Sequence, residues 1–171
     1  MAPVDAGRAE ARVVGDLMSK VPITLRPGDR VGDAVVAFVD NWINGAPVVD
    51  SEGRLVGILT DGDLVRALAV QLGTGAIDEG WDLAEILAEA DEDMATKMFE
   101  LASRPVGDLM TTEVIAIEED APVARAARLM TENMLRRLPV VRDGKVVGVV
   151  TRSDLVLGIL ARYSLELFRD R

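Results

Sequence analysis

The sequence contains neither cysteine nor histidine among its 171 residues. Without cysteine there is no disulfide framework, no thiolate nucleophile and no thiolate metal site. Without histidine the chain lacks the commonest general base and the commonest ligand of transition metals. Any catalysis would therefore depend on carboxylates and lysines.

Aromatic residues are also scarce, at 4% of the chain, and the net charge is −10. Few aromatic rings leave few platforms for nucleic-acid bases, and the negative charge repels phosphates. No apolar run is long enough to span a bilayer, and the first residues, "MAPVDAGRAEAR", lack the apolar core of a signal peptide. We therefore expect a cytoplasmic protein that binds neither nucleic acid nor membranes.

What the sequence does contain is one unit of roughly fifty residues written twice. "VVGDLMSK" at 13–20 returns as "PVGDLMTT" at 105–112, and "GAPVVD" returns as "RLPVVR", each 92 residues later. "GILTDGDL" at 57–64 returns as "GVVTRSDL" at 148–155, only 91 residues later, because the preceding turn is one residue shorter. A duplicated unit predicts two halves related by a pseudo-twofold axis.

Each copy has the same predicted elements, namely a short strand, a helix, two strands and a second helix. The apolar residues of the first helix repeat at helical spacing, which places them on one face of a helix in each copy: Val31, Ala34, Val35, Phe38 and Trp42, then Val123, Ala126, Ala127, Met130 and Met134. The two β-rich runs are Pro47–Val49 and Leu55–Leu59, then Leu138–Val141 and Val146–Val150, and the second helices begin at Asp61 and Arg152. The fold class is thus α/β (α+β), with two β-α-β-β-α motifs sharing a core.

The segment 71–104 lies between the copies and has no counterpart after the second. From Asp82 onward it is rich in helix formers, so it is predicted to be a helical insert that bears on assembly. Its acidic cluster lacks the ligand spacing and the glycine of a calcium loop, and is interpreted as a solvated helix face: Glu89, Asp91, Glu92 and Asp93.

The repeated pattern Gly-h-h-Thr-x-x-Asp, in which h is apolar, has two interpretations. Thr60 with Asp63, and Thr151 with Asp154, have the spacing of an N-terminal capping box. The same geometry suits a nucleotide, because helix amides and a threonine hydroxyl can bind phosphate while a carboxylate binds the ribose hydroxyls. The pattern alone leaves both open.

The full ordered set of motifs favours the second interpretation. "GDLM", "DAVVAFV" and "GAPVVDSEGRLVGILTDGDL" resemble a cystathionine-β-synthase-type (CBS) domain, and "GDLM", "ARAARLM" and "RRLPVVRDGKVVGVVTRSDL" resemble another. Together they resemble the tandem CBS pair called a Bateman module. The expected organisation is a tail at 1–12, a first CBS motif at 13–70, the insert at 71–104, a second CBS motif at 105–161 and a C-terminal helical extension at 162–171.

The resemblance implies clefts that bind an adenine nucleotide (AMP, ADP or ATP) or S-adenosylmethionine. The aspartate would hold the ribose, the threonine would approach the phosphate, and the early strand with the residues before the proline strand would complete each cleft. The implied first-half set is Thr60, Asp63, Asn44, Gly45, Lys20, Pro22, Ile23 and Thr24. The implied second-half set is Thr151, Arg152, Asp154, Arg136, Arg137, Val114, Ile115 and Ala116. No cofactor is required, the ligand is expected with or without Mg²⁺, and a homodimer acting on an effector protein of unknown identity is expected.

The two halves differ in charge around these residues. The second offers Arg136, Arg137 and Arg152, whose forked guanidinium groups match phosphate geometry. The first offers Asn44, Gly45 and Asp61, with Lys20 to compensate. We therefore expect one competent phosphate site, centred on the second copy; the alternative is that Arg136 and Arg137 merely form a basic turn at the end of a helix.

Three functions remain at this point. The preferred one is a non-enzymatic sensor that binds an adenosyl ligand and signals to a partner protein. The second is a structural dimerisation or docking module with vestigial clefts. The third is a carboxylate- and metal-dependent nucleotide hydrolase, which ranks lowest because the chain also lacks a Walker-type phosphate loop.

Overall fold

A computed structural model of the chain describes residues 13–20, 22–72, 94–158 and 160. The first copy contains a 3-10 turn at Val14–Asp16, β1 (Ser19–Lys20), α1 (Val31–Asp40), β2 (Gly45–Val49), β3 (Leu55–Thr60) and α2 (Asp61–Leu72). Then follow α3 (Met94–Ser103), a 3-10 turn at Val106–Asp108, β4 (Ile117–Glu118), α4 (Val123–Glu132), β5 (Arg137–Arg142) and β6 (Lys145–Thr151). Residues 152–158 are helical. The predicted mixed class of fold, with one motif present twice, is confirmed.

The described residues divide into two compact units that exchange segments of the repeat. The first unit takes the residues up to Pro22, the stretch Gly53–Leu55 and the residues from Ile115 onward. The second unit takes Ile23–Glu52 and the described part of Val56–Val114. Each unit therefore joins the Gly-Asp-Leu-Met segment of one copy to the strands of the other.

The first unit is built on a four-stranded sheet in the order β1-β6-β5-β4. β6 pairs antiparallel with both β5 and β1, and β4 pairs parallel with β5. The β5–β6 hairpin turns at Asp143 and Gly144, whose φ angles of 53° and 74° suit a two-residue type I′ turn. The core of this unit consists of Val14, Leu17, Met18, Ile117, Ala121, Ala126, Met130, Leu138, Val140, Val150 and Leu155.

The second unit contains the β2–β3 pair, and its helix α3 packs against α1 and α2. β2 is buried along its whole length, which explains why its sequence is an unbroken apolar run rather than an alternating one. The core of this unit consists of Leu25, Ala34, Phe38, Ala46, Val48, Leu59 and Val106.

The glycine that opens each Gly-h-h-Thr-x-x-Asp pattern lies against a methionine of the exchanged segment. A Cβ added at Gly57 would overlap the sulfur of Met110, and one added at Gly148 would overlap the sulfur of Met18. Both glycines are therefore required by close packing, and the two methionines hold the exchanged segments on the strands.

The predicted apolar face of the first helix is wrong at its end in both copies. Trp42 and Met134 are 96% and 82% exposed, because α1 ends at Asp40 and α4 ends at Glu132. Their φ angles of 54° and 53° lie in the left-handed region that terminates helices, so the chain turns away before either side chain reaches the core.

The remaining residues of these faces are mostly inside. Val31, Ala34 and Phe38 are buried in the second unit, whereas Val35 is 40% exposed. In the first unit Ala126 and Met130 are buried, while Val123 and Ala127 are half-buried and pack against the core.

The predicted early strands at 22–24 and 114–116 are also displaced. Strand pairing begins only after them, at Leu25, which bridges to Val48, and at Ile117, which pairs with Val140. Pro22 has no backbone N–H to donate to a ladder, and the Val114 N–H is used by a local bond to the Thr112 carbonyl. The other four predicted strands are confirmed and are one or two residues longer than expected.

The insert is described only in part. α3 confirms a helix at its C-terminal end, whereas the segment 73–93, with the acidic cluster, lies outside the described residues. The same is true of the tail at 1–12 and the extension at 162–171. None of the described helices combines the length and apolar character needed to cross a membrane.

Candidate functional site

The first Thr-x-x-Asp pair forms the predicted capping box. The Thr60 backbone N–H and hydroxyl donate to Asp63 Oδ2 at 2.8 and 2.6 Å, and the Asp63 backbone N–H donates to Thr60 Oγ1 at 3.4 Å. These bonds satisfy backbone groups that the start of α2 would otherwise leave without partners.

The second pair forms the same box. The Thr151 backbone N–H and hydroxyl donate to Asp154 Oδ2 at 2.9 and 2.7 Å, and the Asp154 backbone N–H donates to Thr151 Oγ1 at 3.2 Å. The capping interpretation is thus confirmed in both copies. Each box uses only the Oδ2 oxygen of its carboxylate. The contacts of the Oδ1 oxygen can therefore differ between the copies.

In the second unit the other oxygen of Asp63 already has two donors. Arg66, one turn further along α2, forms an ion pair with Oδ1, and the Thr111 hydroxyl donates to the same oxygen at 3.2 Å. Asp63 is only 5% exposed. Both oxygens of this carboxylate are therefore engaged with groups of the protein.

In the first unit the corresponding oxygen is not engaged. No donor among the described residues reaches Asp154 Oδ1, and Asp154 is half-buried. The residue equivalent to Arg66 is Leu157, which cannot donate, and the residue equivalent to Thr111 is Ser19, which forms no hydrogen bond to Asp154. One carboxylate oxygen in this unit is therefore available to accept hydrogen bonds.

Arg152 has a structural contact that the sequence did not predict. Its Nε donates to the Leu135 carbonyl at 2.7 Å and its Nη2 donates to the Met130 carbonyl at 3.3 Å. The Met130 carbonyl lies in the last turn of α4 and also accepts from the Leu135 N–H at 2.9 Å, whereas the Leu135 carbonyl lies three residues after the helix ends. Arg152 therefore secures the end of α4 with two of its nitrogens.

The other two predicted arginines lie at the start of β5, Arg137 as its first residue and Arg136 just before it. Arg137 is half-buried and directly opposite Thr151 in the β5–β6 ladder, so their side chains are on the same face of the sheet. Arg136 is exposed, and its side chain makes no hydrogen bond or ion pair with the described residues. Its carbonyl accepts a bond of 3.0 Å from the Arg152 backbone N–H.

The first copy has the same backbone bond with different side chains. The Asp61 N–H donates to the Asn44 carbonyl at 3.0 Å, and Asn44 Nδ2 donates to Asp61 Oδ2 at 3.4 Å. At Gly45, the equivalent of Arg137, an added Cβ would lie 2.9 Å from the Leu59 carbonyl oxygen. The two halves therefore differ in charge and also in the room at this position, where the second copy has an arginine and the first copy has no room for a Cβ.

The exchange of segments redistributes the predicted site residues. The first unit holds Lys20, Pro22, Ile115, Ala116, Arg136, Arg137, Thr151, Arg152 and Asp154. The second unit holds Ile23, Thr24, Asn44, Gly45, Thr60, Asp63 and Val114. Lys20 and Pro22, predicted with the first half, thus share a unit with Thr151, and Val114 shares a unit with Thr60. Lys20 is exposed on β1, opposite Gly148 of β6.

Two residues that contact Asp63 were missed from the sequence. Arg66 lies three residues after Asp63, a spacing at which helix side chains meet, so its ion pair could have been found from that pattern. Thr111 comes from the exchanged segment, 48 residues away, and nothing local indicates it. Within the described ranges no cluster of three or more acidic side chains could hold a metal ion.

The repeat, the exchanged Gly-Asp-Leu-Met segments and the two capping boxes define a protein of two related halves. The family model of the CBS domain matches residues 14–70 and 106–161. The chain therefore belongs to the CBS domain family and contains two CBS domains in tandem.

Known proteins resemble it over most of its length. It is 35% identical over 162 residues to the chloroplastic CBS domain-containing protein CBSX1 of Arabidopsis thaliana, covering 90% of this chain and 66% of that protein. The crystal structure of CBSX2, also from Arabidopsis thaliana, in complex with AMP superposes with a TM-score of 0.65 and 31% identity, covering 93% of this chain and 100% of that one. The CBS domain pair of protein MJ0100, in complex with 5′-methylthioadenosine and S-adenosyl-L-methionine, gives 0.59 and 30% over 84% of this chain and 92% of that one.

Proposed function

We propose that the chain is a non-enzymatic regulatory module whose first unit binds an adenine nucleotide or adenosyl ligand at Thr151 and Asp154. The observation that carries the proposal is the Oδ1 oxygen of Asp154, to which no described residue donates. A carboxylate oxygen in that state can accept hydrogen bonds from ribose hydroxyls while the other oxygen keeps the helix capped.

The charges of the first unit support the same proposal. Arg136 and Lys20 are exposed and make no ion pair with the described residues, and Arg137 lies beside Thr151. Guanidinium and ammonium groups attract phosphate or a carboxylate of the ligand. In this proposal Arg152 acts indirectly, because it fixes the end of α4 next to Arg136.

The solved relatives support the ligand class. CBSX2 binds AMP, and MJ0100 binds 5′-methylthioadenosine and S-adenosyl-L-methionine. These three ligands share the adenosine moiety, whose ribose hydroxyls are the groups that Asp154 would recognise. We propose an adenosine-containing ligand on this ground.

The test is calorimetric titration of AMP, ADP, ATP and S-adenosylmethionine into the full chain. We expect one ligand per chain in the unmodified protein and none in Asp154→Asn. That substitution keeps an oxygen that can cap the helix but replaces the available acceptor with an amide that only donates. The matched control is Asp63→Asn, which should leave one ligand bound. Binding that survives Asp154→Asn would contradict the proposal.

Regulation completes the proposal. Binding would favour one conformation of the chain and thereby change its affinity for an effector protein.

Assembly as a homodimer fits the exposed apolar residues Val36 and Val39, which are 58% and 69% exposed. Sedimentation with and without AMP measures both the assembly state and its response to the ligand.

The second candidate is a docking module without a ligand. It is favoured by one observation, namely that both Thr-x-x-Asp pairs cap helices and so have a structural reason to exist. If this candidate is right, none of the four compounds binds or raises the melting temperature. The Asp154→Asn variant then assembles as the unmodified protein does.

A further inference from the structure

The two carboxylates that end the repeated motif have different residues one turn further along their helices. Asp63 has Arg66 one turn further on, whereas Asp154 has Leu157 at the matching position. The capping bonds are the same in both copies, so the copies differ in this neighbour and in the Thr111 bond to Asp63, which Ser19 does not make to Asp154. The difference is one of chemistry, because leucine can neither donate a hydrogen bond nor carry charge.

Arg66 engages the oxygen of Asp63 that a ligand would need. With the Thr60 amide and hydroxyl on Oδ2, and Arg66 and the Thr111 hydroxyl on Oδ1, the carboxylate has four donors. A carboxylate offers about four acceptor sites, so none is left for a ribose hydroxyl. Any ligand at Asp63 would first have to displace a charge-assisted bond from a buried anion.

The Arg66 side chain is 63% exposed, so a ligand could displace it only if another group took over the charge of the buried Asp63. An open depression of about 290 Å³ beside the pair is lined by Arg104, Asp108, Leu109 and Val70 among others. Among the described residues of this lining the only other cation is Arg104, which lies 3.7 Å from Asp108. None of these described residues therefore offers an unpaired cation that could replace Arg66 as the partner of Asp63.

We propose that Arg66 is the specificity-determining residue that closes the first half to ligand, and that the leucine at position 157 is what leaves the second half open. This inference rests on the proposed function only for the identity of the ligand. Arg66 acts as an internal occupant: its guanidinium takes the place at Asp63 that a ribose hydroxyl takes at Asp154. The chain is thereby limited to one ligand, although its motif is present twice.

Reciprocal substitutions test this inference, because each copy supplies the residue for the other. Arg66→Leu gives the first copy the neighbour of the second, and we expect titration with AMP to rise from one to two ligands per chain. Combining Arg66→Leu with Asp154→Asn should leave one ligand, and combining it with Asp63→Asn should also leave one. Leu157→Arg should weaken AMP binding at the second copy by about threefold, since a largely exposed, charge-assisted bond must then be displaced.

The outcomes separate this inference from the proposed function. One ligand in both the unmodified protein and Arg66→Leu would overturn the inference and leave the proposed function intact. No ligand in the unmodified protein but one in Arg66→Leu, lost again with Asp63→Asn, would support the role of Arg66, overturn the role of Leu157 and contradict the proposed function. Two ligands in the unmodified protein, or none in both proteins, would overturn the inference.

A further pair of controls guards against loss of structure. Arg66→Lys keeps the positive charge at Asp63, so we expect it to bind one ligand, as the unmodified protein does. If Arg66→Leu fails to fold, Leu157→Arg decides, because position 157 is 51% exposed and tolerates a longer polar side chain. Undiminished AMP binding in a folded Leu157→Arg protein would overturn the inference.

Discussion

The two copies of the motif share their backbone bonds and differ in what surrounds them. Both have a capping box, a strand glycine under a methionine and a left-handed residue after the first helix. Around this shared frame, Asp63 is buried and has four donors, whereas Asp154 keeps one available oxygen and has arginines nearby. The comparison shows that both copies have the same structural contacts, whereas the donors around the second carboxylate oxygen differ between them.

The largest effect on stability is expected from adding a methyl group at the two glycines that lie against the methionines. Gly148→Ala should lower the free energy of unfolding by about 3 kcal/mol and Gly57→Ala by about 2 kcal/mol, as expected for overpacking. Gly148→Ala should cost more because its new Cβ would lie closer to a backbone carbonyl of the exchanged segment. The distance is 2.9 Å to the Ser19 oxygen for Gly148→Ala and 3.1 Å to the Thr111 oxygen for Gly57→Ala. Urea denaturation measures both. Recovery of part of the loss by Met18→Ala in the Gly148→Ala background is the control, and two unchanged midpoints would contradict the packing role.

Alanine at the two aspartates should sharpen the comparison. We expect Asp154→Ala to lower the free energy of unfolding by about 1 kcal/mol, the usual contribution of a cap. Asp63→Ala should cost about 2 kcal/mol, because it also removes the Thr111 bond and the Arg66 pair. The pair adds little, since the Arg66 side chain is 63% exposed and screened by solvent. Equal losses in thermal or urea denaturation would mean that the extra donors of Asp63 contribute nothing to folding.

The smallest effect is expected where the copies agree. Trp42→Gly and Met134→Gly should each raise the free energy of unfolding by about 0.5 kcal/mol, because glycine relieves the left-handed backbone but loses more entropy on folding. Trp42→Ala and Met134→Ala keep a Cβ and should show no gain. A clear loss of stability in either glycine variant would mean that the exposed side chain is covered by another molecule in solution.

Local contacts were the predictable part of this molecule. The strands and helices follow from periodicity, and the capping boxes join residues three apart, a spacing that predicted them as one of two interpretations. The helix ends were misjudged at Trp42 and Met134 because an apolar residue at the right spacing does not reveal that the helix has already stopped. The phosphate role predicted for Arg152 was argued from proximity in sequence, which could not reveal the carbonyls of α4 that its guanidinium contacts.

The exchange of segments was not predictable from one sequence. Two copies of Gly-Asp-Leu-Met have the same complementarity to either set of strands, so nothing in their residues decides which set each one joins. For the same reason the partner of Asp63 from the exchanged segment, Thr111, and the placement of Lys20 on β1 beside β6 became visible only in the folded chain.

The pairing of β1 with β6 determines when the first unit can fold during synthesis. Ser19 lies opposite Val149, so 130 residues of chain must be made between one strand and its neighbour. At common translation rates this takes on the order of ten seconds, during which β1 has no partner on the ribosome. The second unit, whose strands and exchanged segment are made closer together, can form earlier. The unit that is proposed to bind the ligand is therefore the last to be completed.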